Sequence, residues 1–250
     1  MNIAEELGVQ SYCFRAFEDH PAVIEQIHKS GLAVVELCGE HGEFSDLDTM
    51  GRVVDLYKDA GIRVPSITAQ LPLSADEQAT RATFEFAARA GVGHIMVDFD
   101  VHTLPECFRV AEKLADEYDV LLGIHNHGGS HWLGNEDMLA HVFANTSPRI
   151  GLCLDTAWAI DASNDPVAMA RRFADRLYGL HVKDYVFDRA GVPEDVVVGQ
   201  GNLDLAGLLA VMAETNKCKY AVLEYEGDEH NPTPAIKQCV EAVQELSNRG

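Results

Sequence analysis

Two histidines, an aspartate, a third histidine and a glutamate each follow directly on a short apolar run. Val120–Ile124 leads into His125-Asn126-His127-Gly128, and Ile150–Leu154 leads into Asp155-Thr156-Ala157-Trp158. Leu177–Leu180 leads into His181-Val182-Lys183-Asp184, and Tyr220–Leu223 into Glu224-Tyr225-Glu226. Imidazole and carboxylate are the ligands of a divalent ion such as Mn, Zn, Mg or Co, and they are also the side chains that move protons. One ionisable residue at the end of an apolar run is ordinary. Four such ends in succession predict side chains that converge on one site.

His125 and His127 share a strand face, because side chains alternate with period 2. One is then a ligand and the other a neighbouring or substrate contact. The reading adopted takes His127, Asp155, His181 and Glu224 as the metal ligands. It leaves His125, Glu224 and Lys183 for catalysis: the first two as proton carriers, the lysine to stabilise negative charge on a substrate. Asp155 also has a plainer reading, as the cap of a following helix. However, Asp165 stands immediately before Pro166 and is the better cap for the helix expected there. His181 alone could be a core histidine, and Glu224 a salt-bridge partner of a neighbouring strand. Glu226 shares the face of Glu224. Trp132 and Trp158 lie just past strand ends, where an aromatic ring forms the wall of a small-molecule pocket or anchors a loop. Glu36, Glu40 and His41 follow the second apolar run, and Glu36 is expected to touch substrate.

The elements that must position these residues alternate along the chain. Gly31, Gly61 and Gly91 recur at a spacing of 30, each ending a helical stretch and followed by an apolar residue. Strands are expected at Gly8–Tyr12, Val34–Leu37, Val64–Thr68, His94–Asp98, Leu121–His125, Gly151–Leu154, Tyr178–His181 and Ala221–Glu224. Helices are expected at Pro21–Lys29, Asp46–Asp59, Asp76–Ala90, Pro105–Tyr118, Glu136–Ala144, Pro166–Arg176, Leu205–Glu214 and Pro234–Asn248. Eight alternations without a linker or low-complexity stretch predict an α/β chain folded as a single (β/α)8 TIM barrel over residues 1–250. In such a barrel chemistry gathers at the C-terminal ends of the strands, where all four polar segments fall. Gly91-Val92-Gly93 and Gly199-Gln200-Gly201 lack the rest of a dinucleotide-binding fingerprint.

The net charge of -21 opposes a nucleic-acid partner. No apolar stretch approaches the roughly 20 residues of a membrane span. Met1-Asn2-Ile3-Ala4-Glu5-Glu6 does not read as a signal peptide. The 6 cysteines are scattered, with no Cys-x-x-Cys pair. Together these predict a cytoplasmic protein with free thiols. Self-association as a homo-oligomer is left open.

Gly151-Leu152-Cys153-Leu154-Asp155-Thr156 and Leu180-His181-Val182-Lys183-Asp184 resemble the xylose isomerase-like TIM-barrel superfamily, in particular its sugar phosphate isomerase/epimerase proteins. The resemblance runs from Leu7-Gly8-Val9-Gln10-Ser11-Tyr12 to Val222-Leu223-Glu224-Tyr225-Glu226-Gly227. Gly199-Gln200-Gly201-Asn202-Leu203-Asp204 is similar to the family's glycine-rich loop. The resemblance implies one divalent ion held by Asp155, His181, Glu224 and a ligand from the fifth strand. That first position departs from the family pattern, where a glutamate is common and this chain has His125-Asn126-His127. Trp158 also stands where sugar epimerases tend to have histidine. The implied activity is isomerisation or epimerisation of a sugar-like polyhydroxy carbonyl compound by proton transfer beside a polarised carbonyl. An inosose-type dehydratase and a non-catalytic sugar-binding barrel are the alternatives. A repair nuclease on the same barrel is disfavoured by the charge.

Overall fold

The computed structural model describes residues 3–41 and 46–248. Eight parallel strands close into a barrel. In chain order the first seven are β1 (Gly8–Gln10), β2 (Val34–Leu37), β3 (Arg63–Thr68), β4 (His94–Val97), β5 (Leu121–His125), β6 (Ile150–Asp155) and β7 (Leu177–Val182). A hairpin follows, β8 (Asp184–Phe187) with β9 (Pro193–Val196), and β10 (Tyr220–Leu223) completes the barrel between β7 and β1. The expected single (β/α)8 barrel is therefore the observed fold. Every residue of β6 and β7 is buried. That is the condition of a parallel strand covered on both faces, and the reason these segments read as unbroken apolar runs.

The helices surround the barrel: α1 (Ile3–Glu6), α2 (His20–Lys29), α3 (Leu47–Asp59), α4 (Glu77–Ala90), α5 (Glu106–Tyr118), α6 (Glu136–Asn145), α7 (Thr156–Asp161), α8 (Pro166–Arg172), α9 (Leu205–Thr215) and α10 (Thr233–Ser247). Asp19, Asp46, Asp76, Asn135 and Asp165 each cap a helix by accepting a backbone N–H of its first turn. Gly31, Gly61 and Gly91 have φ of 76°, 76° and 68°, the left-handed geometry that a glycine adopts without a Cβ penalty at a helix end. α10 buries Ile236, Cys239, Val240 and Val243, a stripe at helical spacing turned toward the barrel. The six cysteines are buried and unpaired. Among the described residues no helix is long and apolar enough to cross a membrane.

Two features depart from the expected order. The helix expected over Pro166–Arg176 stops at Arg172 and gives way to a 3-10 turn, Ala174–Arg176. Arg176 instead donates to the carbonyls of Phe143, Thr146, Ser147 and Ile150, tying the turn to the loop before β6. The second departure is the β8–β9 hairpin, which no periodic pattern announced. Asp184 is buried at its base, and its carboxylate accepts the N–H groups of Gly199, Gly201 and Leu203, each at 2.9 Å. A side chain at Gly201 would collide with that carboxylate, so the loop closes tightly over it. Asp184→Ala would leave three backbone donors without an acceptor in a closed loop. The expected cost is about 3 kcal/mol, a fall in Tm of roughly 6–12 °C for a domain of this size. Thermal unfolding measures it; a fall under about 2 °C would mean the loop holds its shape without the carboxylate.

Candidate metal centre and active-site cavity

The barrel brings the four polar strand ends together. Asp155 and His181 are neighbours in the β6–β7 register, and Glu224 follows β10 with its N–H on the Val182 carbonyl. Candidate ligand atoms of His125, Asp155, His181 and Glu224 all lie within 4.8 Å of one another. All four residues are buried. His125 Nε2 is 3.6 Å from Asp155 Oδ2 and 3.7 Å from Glu224 Oε2. His181 Nδ1 is 2.7 Å from the same Glu224 oxygen. Ligands bound at about 2.1 Å around one tetrahedral ion stand roughly 3.4 Å apart, so the spacing suits a single ion.

Two of these atoms decide the question of fit. His125 Nε2 and Asp155 Oδ2 are both buried and have no hydrogen-bond partner. Buried polar atoms are normally satisfied, and an orphaned imidazole nitrogen facing an orphaned carboxylate oxygen is the donor set of a divalent cation. Asp155 carries both readings open from the sequence. Its Oδ1 caps α7 by accepting the Trp158 N–H at 2.7 Å, while its Oδ2 is left for the cluster. Asp165 caps α8, the next helix.

The fifth-strand member of the cluster is His125, a correction to the expectation of His127. His125 is the last residue of β5, whereas His127 lies beyond the strand and packs outside it, its Nε2 3.3 Å from His125 Nδ1. A ligand nitrogen on His125 Nε2 places the His125 proton on Nδ1, where His127 Nε2 accepts it. Burial, with His125 and His131 as neighbours, pulls the His127 pKa down to about 3, so this ring is neutral.

Glu36 is also not where the sequence placed it. It is fully buried inside the barrel below the cluster and does not reach the cavity. Its Oε1 lies 2.8 Å from His181 Nε2 and accepts from Gln10 Nε2 at 2.7 Å, while its Oε2 accepts from Ser66. Glu36 thus orients the His181 ring and leaves Nδ1 toward Glu224, the usual task of a carboxylate behind a ligating histidine. Its carboxyl lies below the usual range: burial opposes ionisation, but His181 and Ser66 outweigh it. Glu40 is exposed, and His41 is buried with Nε2 on the Phe17 carbonyl at 3.0 Å; neither lines the cavity.

A cavity of about 440 Å³ opens over the cluster, bordered by Gln10, Gln70, His125, His127, Trp158 and Glu224 among others. Trp158 is a wall, as expected. Trp132 is not; it packs near Phe108 and borders a separate hollow with His131 and Met138. Lys183 does not face the cavity either. It is buried under the rings of Trp158 and Tyr185, with Nζ 5.4 and 5.5 Å from their centroids. The ammonium pairs with Glu226 and stands 3.8 Å from Asp195 Oδ2, a residue of the unforeseen hairpin. Burial pushes the Asp195 carboxyl up to about 7. Lys183 acts on the site through its charge: with His181 and His125 it holds Glu224 well below the usual carboxylate range, against the opposing effect of burial.

The imidazoles of the cluster move the other way. Burial alone would lower both. The Asp155 and Glu224 carboxylates close to its Nε2 raise His125 overall, and Cys153, Glu36 and Glu224 raise His181 well above the usual value of about 6.5. Both shifts favour the protonated rings in the metal-free protein. Their imidazolium contacts stabilise the metal-free fold fully below pH ~6.5, and that contribution is lost as pH rises through the raised folded values. Metal uptake must expel these protons, so apparent affinity is expected to rise with pH and binding to release protons at pH 7. Calorimetric titration in buffers of different ionisation enthalpy tests this; a binding heat independent of buffer would contradict it.

The family described as xylose isomerase-like TIM barrel matches residues 24–246. Over 139 residues the chain is 29% identical to a rhizopine catabolism protein of Rhizobium meliloti, covering 50% of this chain and 42% of that protein. Over 203 residues it is 26% identical to a 3-oxo-isoapionate decarboxylase of Pectobacterium atrosepticum, covering 73% of this chain and 70% of that protein. The first of these matches spans less than half of its relative's length. Among solved structures, a sugar phosphate isomerase/epimerase of Parabacteroides distasonis superposes with a TM-score of 0.74 at 18% identity, over 95% of this chain and 93% of that one. A probable 3-DHS dehydratase of Bacillus anthracis superposes with a TM-score of 0.74 at 17% identity, over 95% and 98%. At these identities the two structures speak for the fold.

Proposed function

The chain belongs to the xylose isomerase-like TIM barrel family, and on that basis we propose that it is a divalent-metal-dependent isomerase or epimerase of a sugar or sugar-like polyhydroxy carbonyl compound. The observation that carries the reading is the pair of orphaned atoms, His125 Nε2 and Asp155 Oδ2, in a buried His-Asp-His-Glu cluster that opens onto a cavity of small-molecule size. His125, Asp155, His181 and Glu224 would hold the ion. When bound, it supplies Lewis-acid polarisation of a substrate carbonyl and the adjacent hydroxyl.

The remaining work falls to the chain's own groups. Glu224 borders both cluster and cavity, and Lys183 and His181 keep it ionised at neutral pH. It is therefore ready to accept the proton on the carbon next to the carbonyl. His127, neutral and bordering the cavity, keeps its own Nδ1 without a protein partner and steadies His125 through Nε2. Lys183 is a positioning residue in this scheme, setting the charge state of Glu224 from behind Trp158. Trp158 supplies the apolar wall and helps exclude water.

The same groups would serve a dehydratase of inosose type, in which proton removal is followed by loss of a β-hydroxyl. The similarity to a decarboxylase likewise concerns chemistry beside a carbonyl. Solvent deuterium exchange separates these outcomes. The metal-loaded protein is incubated in deuterium oxide with ketoses, their phosphates and inososes. Deuterium at the carbon beside the carbonyl, with an isomer as product, is the expected result. Loss of water or carbon dioxide would reassign the reaction. No exchange with any member, from protein that retains no metal, would leave a sugar-binding barrel without activity.

A further inference from the structure

A substrate anion such as a phosphate group is normally held by one of three devices: a lysine or arginine in the pocket, a free cation at its rim, or a run of backbone N–H groups. In this chain each has been answered internally. The described residues bordering the cavity include no lysine or arginine, and they include the carboxylates Asp98, Glu224 and Glu226. Two cations that contact residues of the cavity border are engaged. Lys183 pairs with Glu226 and Asp195. Arg15 donates through Nη2 to the Glu226 carbonyl at 2.7 Å and through Nη1 to the Tyr12 carbonyl at 3.4 Å, and its Nε stands 3.1 Å from Glu229. The glycine-rich loop after the hairpin, the natural phosphate cradle of this barrel end, gives the N–H groups of Gly199, Gly201 and Leu203 to the Asp184 carboxylate. The cavity border also carries neutral polar side chains, among them Tyr12, Thr68 and Gln70.

We propose that the site takes an unphosphorylated polyhydroxy substrate, neutral at the end away from the reacting carbonyl, and that Glu226, a carboxylate on the cavity wall that also engages Lys183 behind Trp158, is a determinant of that selectivity. The inference rests on the sugar-like reading of the site and narrows it. A phosphate brought into this cavity away from the cluster would exchange its water for a wall that carries carboxylates and no lysine or arginine. A hydroxylated chain would exchange water for amide and hydroxyl partners, with Trp158 against its carbon face.

The test uses the metal-loaded full chain and matched pairs: xylulose and xylulose 5-phosphate, fructose and fructose 6-phosphate, an inosose and its monophosphate. Binding is read by calorimetry and turnover by deuterium exchange. The neutral member is expected to bind, with the ester about a hundredfold weaker. An ester that binds as well as its neutral partner, or better, overturns the inference while leaving the sugar reading standing. If no pair binds and none exchanges, the sugar reading itself falls and takes the inference with it. Glu226→Gln removes one carboxylate from the cavity wall, so the gap between the members of a pair should shrink about tenfold. Asp98→Asn removes a second wall carboxylate and should shrink the gap in the same direction. A gap unchanged in both folded variants would overturn the role given to Glu226.

Discussion

Glu224→Gln is expected to lower kcat by about three orders of magnitude, within the range typical for removal of a general base. The argument is one of geometry and charge together. Glu224 is the carboxylate that belongs both to the cluster and to the cavity wall, and the fields of Lys183 and His181 keep it deprotonated at neutral pH. The amide keeps the shape and one oxygen near His181 but cannot take up a proton. Metal content should fall as well, so the measurement is single-turnover deuterium exchange at saturating metal, with bound ion counted in the same sample. Exchange that survives at near wild-type rate with metal in place would transfer the base to His127, the other proton carrier at the cavity.

Asp155→Asn is expected to weaken metal binding by about a hundredfold or more while leaving the fold in place. Asparagine is as good a helix cap as aspartate, so the bond to the Trp158 N–H survives on its amide oxygen. What changes is the orphaned Oδ2. An NH2 group in its place directs hydrogens at the position of a cation and removes one negative charge from the donor set. His125 loses one of the two nearby carboxylates that raise its pKa, so its proton becomes easier to displace, which works against the loss only in part. Competition against a chelator of known affinity reads the difference. Affinity within threefold of the wild type would mean that Asp155 is a cap and nothing more.

The fold and much of the cluster were legible in the sequence for one reason. A parallel strand buried on both faces must be apolar along its length, so a polar residue at its end announces itself. That logic located Asp155, His181 and Glu224, and the thirty-residue recurrence of Gly31, Gly61 and Gly91 located the strand–helix units. Each of these is a local property: periodicity, a cap, a left-handed glycine.

The tertiary structure decided what local periodicity leaves degenerate. His125 and His127 are equivalent by period 2, and only the closed barrel puts His125, the last residue of β5, in the cluster with Asp155, His181 and Glu224. Glu36 reads as a strand-end carboxylate in one dimension, but the barrel buries it behind His181, where it orients a ligand instead of meeting substrate. Trp132 and Trp158 both follow strand ends; the short helix capped by Asp155 turns one toward the cavity, while the loop carries the other away. Lys183 looked like a catalytic cation until the hairpin folded Asp195 back against it, with Glu226 pairing it from beyond the eighth barrel strand. Partners so far apart along the chain leave no periodic trace. The reactive groups were written as residue types at strand ends, and their division into ligand, support and wall came from how a closed barrel staggers those ends in space.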